Sequence, residues 1–419
     1  MDAQDFGEAV GMILETPAVS PDRTPTGGLR RADVAALAVV VGLLLFAIRK
    51  VSAIGHPFFW GEDAIIFYLQ DTVPGQDLFD SYAGQLWILQ RMVAPLLGAA
   101  PSVPLTMTLY YLASVVITVL SCAVILQRRA AAVFVRFRFQ LIGFAAILLL
   151  PAVMEVHGNL ANIHVWATIS VMLCLSFPEP RTTWGKTAEG VWILVVALSG
   201  FTSAVLLPVA AWGLLRFRSR WAGVRAALIV LALTVAVAIW VTSDRPVATG
   251  GGLIDRILTA VESLPGRVGG ALLAGEASGP NVPALLAIGL LLLVLVVALI
   301  ELRSPCLAWL ACGMVWLLLG AFSVPLTAIT QLLVPLTAGR YYTVLLAACL
   351  LTLIRGLASP TRLRYAAGLG LAAVLFGVVA DFRLPTSPGF TDTEIQQVEY
   401  CAQSGDPLCD TPARPWDQP

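Results

Sequence analysis

From Val34 to Ala380 the chain alternates uncharged apolar runs with loops that carry arginine. This alternation constrains the fold more than any other feature. An uncharged run of about 15 residues or more holds no ion that would need water, so it suits a helix in a bilayer. Over the whole chain 58% of residues are apolar and 12% are charged, where a soluble domain carries roughly a quarter charged residues. The fold expected is an all-α, polytopic membrane helix bundle, and a large soluble enzyme with an apolar core is set aside. Of the 26 basic residues only Lys50 and Lys186 are lysine. A polybasic tail is therefore absent, and nucleic acid is not an expected partner.

Residues 1–30 are polar and rich in Pro, Asp and Thr, the composition of a disordered tail. The first apolar run, Val34–Ile48, starts late and lacks a small-residue cleavage site after it, so it reads as a retained first helix. Arg31 and Arg49 flank it and can snorkel. Arginine then sets the orientation, because basic loops stay on the cytoplasmic side. Arg30 and Arg31 place the N-terminus inside. Arg128, Arg129, Arg136 and Arg138 place the loop after the second span, within Pro101–Gln127, inside as well. Leu141–Met154 returns outward and Leu160–Phe177 comes back to Arg181 and Lys186.

Val191–Leu215 tests the scheme. It is long enough for one tilted helix, yet Arg216, Arg218, Arg220 and Arg225 follow it. One crossing would leave four arginines outside. The stretch contains "LSGFTS", Leu198–Ser203, and a Ser-Gly pair breaks helices. A hairpin of two short helices turning near Gly200 restores the parity, and a single kinked helix is the alternative. Non-helical backbone at membrane depth needs protein or a water-filled cavity around it, so the hairpin implies a cavity. Spans then follow at Ala226–Thr242, Val282–Ile300, Cys306–Val324, Tyr341–Ile354 and Tyr365–Ala380. The sum is about 11 membrane segments within a bundle at 31–380. A first outer loop covers 50–104 and a long outer loop 243–281. The outer tail at 381–419 carries Cys401 and Cys409, placed to form a small-loop disulfide. The other five cysteines read as small core residues.

Polar residues collect on the outer side. "HPFFWGEDAIIFYLQD", His56–Asp71, sets Glu62 and Asp63 beside three aromatics. "AIIFYLQD" and "AGQLWILQRMVAPLLG" read as amphipathic, surface-lying helices. Trp87 and Arg91 share one face of the second. "EVHGNLANIHVW" brings Glu155, His157, Asn159, Asn162, His164 and Trp166 together. On a continuous helix Asn159, Asn162 and Trp166 would share one face and the two histidines another. "AGRYYT" adds Arg340 and Tyr341, and residues 244–267 look like a further surface helix. Each has a plainer reading. Glu62 and Asp63 can open an interfacial helix. The histidines and asparagines can cap loops or bond between helices. Arg340 can anchor a span. Walker A, dinucleotide-loop and nucleophile-elbow motifs are absent from the sequence.

"WGEDAIIF" just after the first helix, "SYAGQLWILQRMVA", "GNLANIHVW" and "LSGFTSAVLLP" together resemble the GT-C type of membrane glycosyltransferase, in its bacterial form, over roughly the first half of the chain. The second half is similar in hydropathy alone. The resemblance implies a polyprenyl-phosphate sugar donor and a cell-envelope glycan, lipid or protein acceptor. Transfer would invert the anomeric carbon on the outer face of a bacterial plasma membrane, with the N-terminus cytoplasmic and the C-terminus outside. It implies Asp63 as general base, and Glu62 or Asp71 as a ligand for acceptor or cation. A divalent cation, Mg or Mn, would sit at Glu62 and Asp63. Arg340 and Arg91 would hold the leaving phosphate, since a planar guanidinium suits phosphate. His157 or His164 would bond phosphate or sugar, and Trp60 and Tyr82 would stack on sugar or grip prenyl. Two other classes stay open: a lipid or small-molecule transporter or flippase, suggested by the broken helix, and a non-catalytic membrane assembly partner.

Overall fold

A computed structural model describes residues 30–50, 54, 59, 63–69, 78–82, 84–243, 252–323, 326–382 and 391–404. The chain divides into two units, Met1–Leu37 and Ala38–Pro419. In the first unit the described residues open helix α1, Arg31–Ile48, where the Arg30 N–H donates to Asp33 Oδ2 at 3.1 Å. The second unit holds the remaining elements. Its longer helices are α2 (Ile88–Gly98), α3 (Val103–Ala123), α4 (Phe137–Leu148), α5 (Ile163–Ser176), α6 (Thr183–Ala197), α7 (Thr202–Phe217) and α8 (Arg220–Thr242). After these come α9 (Leu253–Leu264), α10 (Ala284–Ile300), α11 (Cys306–Ser323), α12 (Thr343–Leu357), α13 (Leu363–Ala380) and α14 (Asp392–Ser404). Among the described residues there is no strand beyond isolated bridges.

A helix occupies every apolar segment expected from the sequence. Five are long and apolar enough to cross a membrane: α1, α3 extended to Leu126, α8, α11 and α13. Arg128–Phe134 and α4, bent by 89°, make a sixth if they form one span. Helices α5, α7, α10 and α12 are apolar but shorter. α5 and α12 are almost wholly buried. By contrast α10 and α13 expose large apolar side chains, Leu285 at 85% and Phe376 at 75%. Apolar surface on that scale suits lipid rather than water. The fold therefore fits a multi-pass membrane protein.

The stretch after Val191 is a hairpin. α6 ends at Ala197, the chain turns through Leu198–Phe201 with Gly200 at φ +77°, and α7 runs back. Glu189, midway along α6, pairs with Arg129 and, at 2.6 Å, with Arg225 of α8. The first half of the helix thus runs beside the arginine-bearing segments, and its turn lies at the other end. Four helices share those two ends. The starts of α5, α7 and α12 and the finish of α11 surround one cavity; their opposite ends border a second.

One of the surface-lying elements differs from expectation. Asp63–Leu69 forms a short π-helical turn with Ile66, Phe67 and Tyr68 buried, not a helix lying on the surface. α2, α3 and α14 pack around this turn. α14 belongs to the expected outer tail, and it buries Val398 and Cys401. Cys401 is disulfide-bonded, to a partner outside the described residues. Five cysteines are buried thiols. α9 is the surface helix expected in the long loop. It hides Arg256, whose Nη1 donates to Ala321 O at 2.6 Å, and it exposes Leu253, Ile254 and Leu258. Such an inverted stripe suits a lipid interface.

Candidate functional site

The larger cavity measures about 270 Å³. Its wall comes from the π-helical turn, the loop before α2, the start of α5, the hairpin turn, the end of α11 and the start of α12. Aromatic rings dominate: Phe67, Tyr82, Trp87, Phe201, Trp316 and Tyr341. Gln85, Asn162, His164, Ser323 and Arg340 give it polar edges.

Backbone stitching holds this wall. Tyr82 and Gln85 exchange backbone hydrogen bonds at 2.9 and 3.0 Å. The Gly200 N–H donates to Leu86 O at 2.7 Å, and the Leu89 N–H to Ser199 Oγ at 2.9 Å. The hairpin turn is thereby fixed to the first outer loop. A side chain at position 200 would be strained: φ is positive, and a Cβ there would stand 3.3 Å from Gln85 Oε1 and 3.7 Å from His164 Cδ2. Trp316 donates its indole N–H to Arg340 O at 2.8 Å, which ties α11 to α12.

His164 stands at the centre. Trp87 meets it edge-on with centroids 5.0 Å apart, and Trp316 lies at 5.7 Å. Its Nδ1 is 2.9 Å from both Ala161 O and Gln90 Nε2. Two tautomers follow. If Nδ1 accepts from Gln90, Nε2 is a donor; if Nδ1 donates to Ala161, Nε2 can take a proton.

Asp63 lies behind the wall rather than in it. Its Oδ1 accepts from the Ala161 N–H at 2.6 Å and its Oδ2 from the Leu160 N–H at 3.1 Å. These are charge-assisted bonds to N–H groups of the loop just before α5. The carboxylate fixes the segment that carries Asn162 and His164. Glu155 does the same for Arg340: Oε2 accepts from the Arg340 N–H at 2.8 Å and Oε1 lies 3.3 Å from Nε. Behind this pair Glu276 meets Arg267 at 3.2 Å, and Asp381 Oδ2 accepts from the N–H of Glu276 and of Ala152. Burial pushes the Glu276 carboxyl up to about 7; Arg267 opposes the rise and Asp381 and Glu155 add to it.

Of the residues expected at a site, Tyr82, Asn162, His164, Arg340 and Tyr341 meet at this cavity. Asp63 supports it. Arg91 is buried and outside the lining. Asn159 caps its own loop, its Nδ2 giving to Glu155 O at 2.5 Å and its Oδ1 accepting from the Asn162 N–H at 2.8 Å. His157 packs on Phe46 with centroids 4.0 Å apart. Burial, with Arg49 and Lys50 adding to it, holds its imidazole well below 6.5 and therefore neutral. The span expected from Leu160 begins as a helix only at Ile163, and Gly158, at φ +71°, turns the chain in the loop before it. The two histidines consequently do not share a face, nor do Asn159 and Trp166. Glu62, Trp60 and Asp71 lie outside the described residues.

Of the two residues expected to hold a cation, Asp63 turns both carboxylate oxygens to backbone N–H groups, and Glu62 lies outside the described residues. Among the described residues there is no cluster of three or more His, Cys, Asp or Glu side chains able to hold a metal.

The chain matches no family model, no curated protein and no solved structure. The site therefore rests on its own chemistry. Sequence reasoning does not single out Phe67, Gln85, Trp87, Phe201, Trp316 or Ser323 of the wall, nor Glu155 behind it. Glu155 and Trp87 carried a local signal, an acid at a span end and an indole in an amphipathic helix. Trp316 carried none, since it sits mid-span until α11 and α12 are placed together.

Proposed function

We propose that the chain is a membrane glycosyltransferase, moving a sugar from a polyprenyl-phosphate donor to a cell-envelope acceptor. One observation carries this: the convergence of Tyr82, Asn162, His164, Arg340 and Tyr341 with two tryptophans on a single cavity. A sugar presents flat C–H faces and hydroxyl edges, which suit indole planes bordered by amide and imidazole groups. The lipid phosphate needs a cation, and Arg340 supplies a planar one. The acceptor oxygen bonds to the anomeric carbon as that carbon's bond to the phosphate oxygen breaks. The acceptor proton passes to His164 Nε2, the lining group able to take it, in the tautomer where Nδ1 donates to Ala161. Asp63, first expected as the base, becomes a positioning residue.

Arginine density at the far ends of α5, α7 and α12 supports a cytoplasmic assignment for that end. The cavity then faces outward, in a bacterial plasma membrane with about 11 segments, the shorter helices crossing within the bundle. The test uses membranes holding the protein and a labelled polyprenyl-phosphate sugar. Transfer is expected, falling about 10²-fold or more in His164→Gln and in Arg340→Ala. Full transfer by both variants would sink the assignment. A transporter is the second reading, favoured by the helix break at Gly200 against the cavity. It predicts movement of labelled lipid across the bilayer with no glycosylated product.

A further inference from the structure

The second cavity, of about 160 Å³, lies at the opposite ends of the helices that frame the first. Three arginines line it: Arg216 from the end of α7, Arg303 from the α10–α11 turn and Arg355 from the end of α12. Glu301 is its one carboxylate, and it is already committed to Arg355 Nη2 at 2.8 Å. The other terminal nitrogen of Arg355, Nη1, is shut from solvent and has no hydrogen-bond partner among the described residues. The side chains of Arg216 and Arg303 make no hydrogen bond or ion pair among the described residues. The cavity thus gathers more positive charge than it neutralises and contains a buried cationic donor that lacks an acceptor. Such a donor is costly unless something accepts from it. An anion with several acceptor oxygens answers both conditions, and guanidinium groups fit phosphate geometry closely.

We propose that this cavity is a phosphate-binding site at the arginine-rich end of the bundle, distinct from the aromatic cavity. Two sources present that chemistry, the headgroup of an anionic phospholipid and a free phosphate. The rim fits the first: Leu214, Leu215 and Leu302 stand exposed beside Arg216 and Arg303, where acyl chains would lie below a headgroup. Basic pockets between helices at this level of a membrane suit anionic headgroups.

The full-length protein tests this by its unfolding midpoint in two arms. One compares phosphatidylcholine nanodiscs with and without phosphatidylglycerol. The other titrates inorganic phosphate against chloride at matched ionic strength, in neutral detergent. The midpoint is expected to rise in at least one arm; a rise with the lipid alone assigns the headgroup, and a rise with phosphate assigns the free ion. In Arg216→Gln combined with Arg303→Gln the apparent affinity is expected to fall about fivefold per arginine removed. Both side chains are exposed, so folding in lipid-free detergent serves as the check on the variant. Arg218→Gln combined with Arg220→Gln removes equal charge outside the cavity and is expected to keep the response. No rise in either arm, an unchanged response in the first variant, or an equal loss in the second overturns the proposal.

Discussion

Asp63 carries a charge through 97 residues of chain to reach two backbone N–H groups, at 2.6 and 3.1 Å. Its worth is therefore structural first. Asp63→Asn keeps an acceptor for one N–H and loses the charge on both. Stability should fall by about 1–3 kcal/mol, read as the unfolding midpoint in detergent. Transfer should fall because His164 is displaced, and Asp63→Glu should restore part of it; rescue of stability without transfer would contradict the positioning role. Glu276 gives a pH signature. Its carboxyl titrates near 7 when folded and near 4.5 when unfolded, so the folded state holds the proton more tightly. The associated stability is fully present below about pH 4.5 and is lost as pH rises through about 7, up to about 3 kcal/mol in all. Unfolding measured at about pH 5 and about pH 8 should show the drop, and Glu276→Gln should flatten it. An identical slope in that variant would assign the effect elsewhere.

The α6–α7 hairpin contributes its turn to the cavity wall. "LSGFTS" marks its position because a glycine beside a serine ends a helix cheaply, and four arginines after it demand an even number of crossings. Gly200→Ala asks a Cβ to accept φ +77° beside Gln85 and His164. A loss of about 1–3 kcal/mol is expected, with a larger proportional loss of transfer, because the added methyl pushes at the cavity wall. Unaltered stability and transfer would remove the turn from the site. Other elements were misread for definite reasons. The 63–69 turn has the alternation of a surface helix, yet α14, more than 300 residues along the chain, covers it. The Glu155–Trp166 segment has helical spacing, but Gly158 and the Asn159 side chain close a loop before α5 starts.

At the scale of the molecule, the two ends of the bundle differ in kind: one is aromatic with acids held behind it, the other rich in arginine. Cysteines placed at Arg218 and Gln331, both exposed and at opposite ends, should react with a membrane-impermeant thiol reagent from opposite sides. Reaction from one side only would sink the parity scheme and the hairpin's outward turn. The sequence by itself determined that the chain is helical, that its helices belong in a bilayer, where most of them begin and end, and where one of them breaks. Those properties follow from local composition and from the cost of placing charge in hydrocarbon, and neither needs distant contacts. It also picked out five residues that meet at one cavity, since polar groups at the ends of apolar helices have few other places to be. Only the tertiary structure decided what each acid does. Asp63 and Glu155 are ordinary carboxylates in the sequence, and their roles depend on which backbone N–H groups and which arginine the packing of α5, α11 and α12 brings within about 3 Å of them.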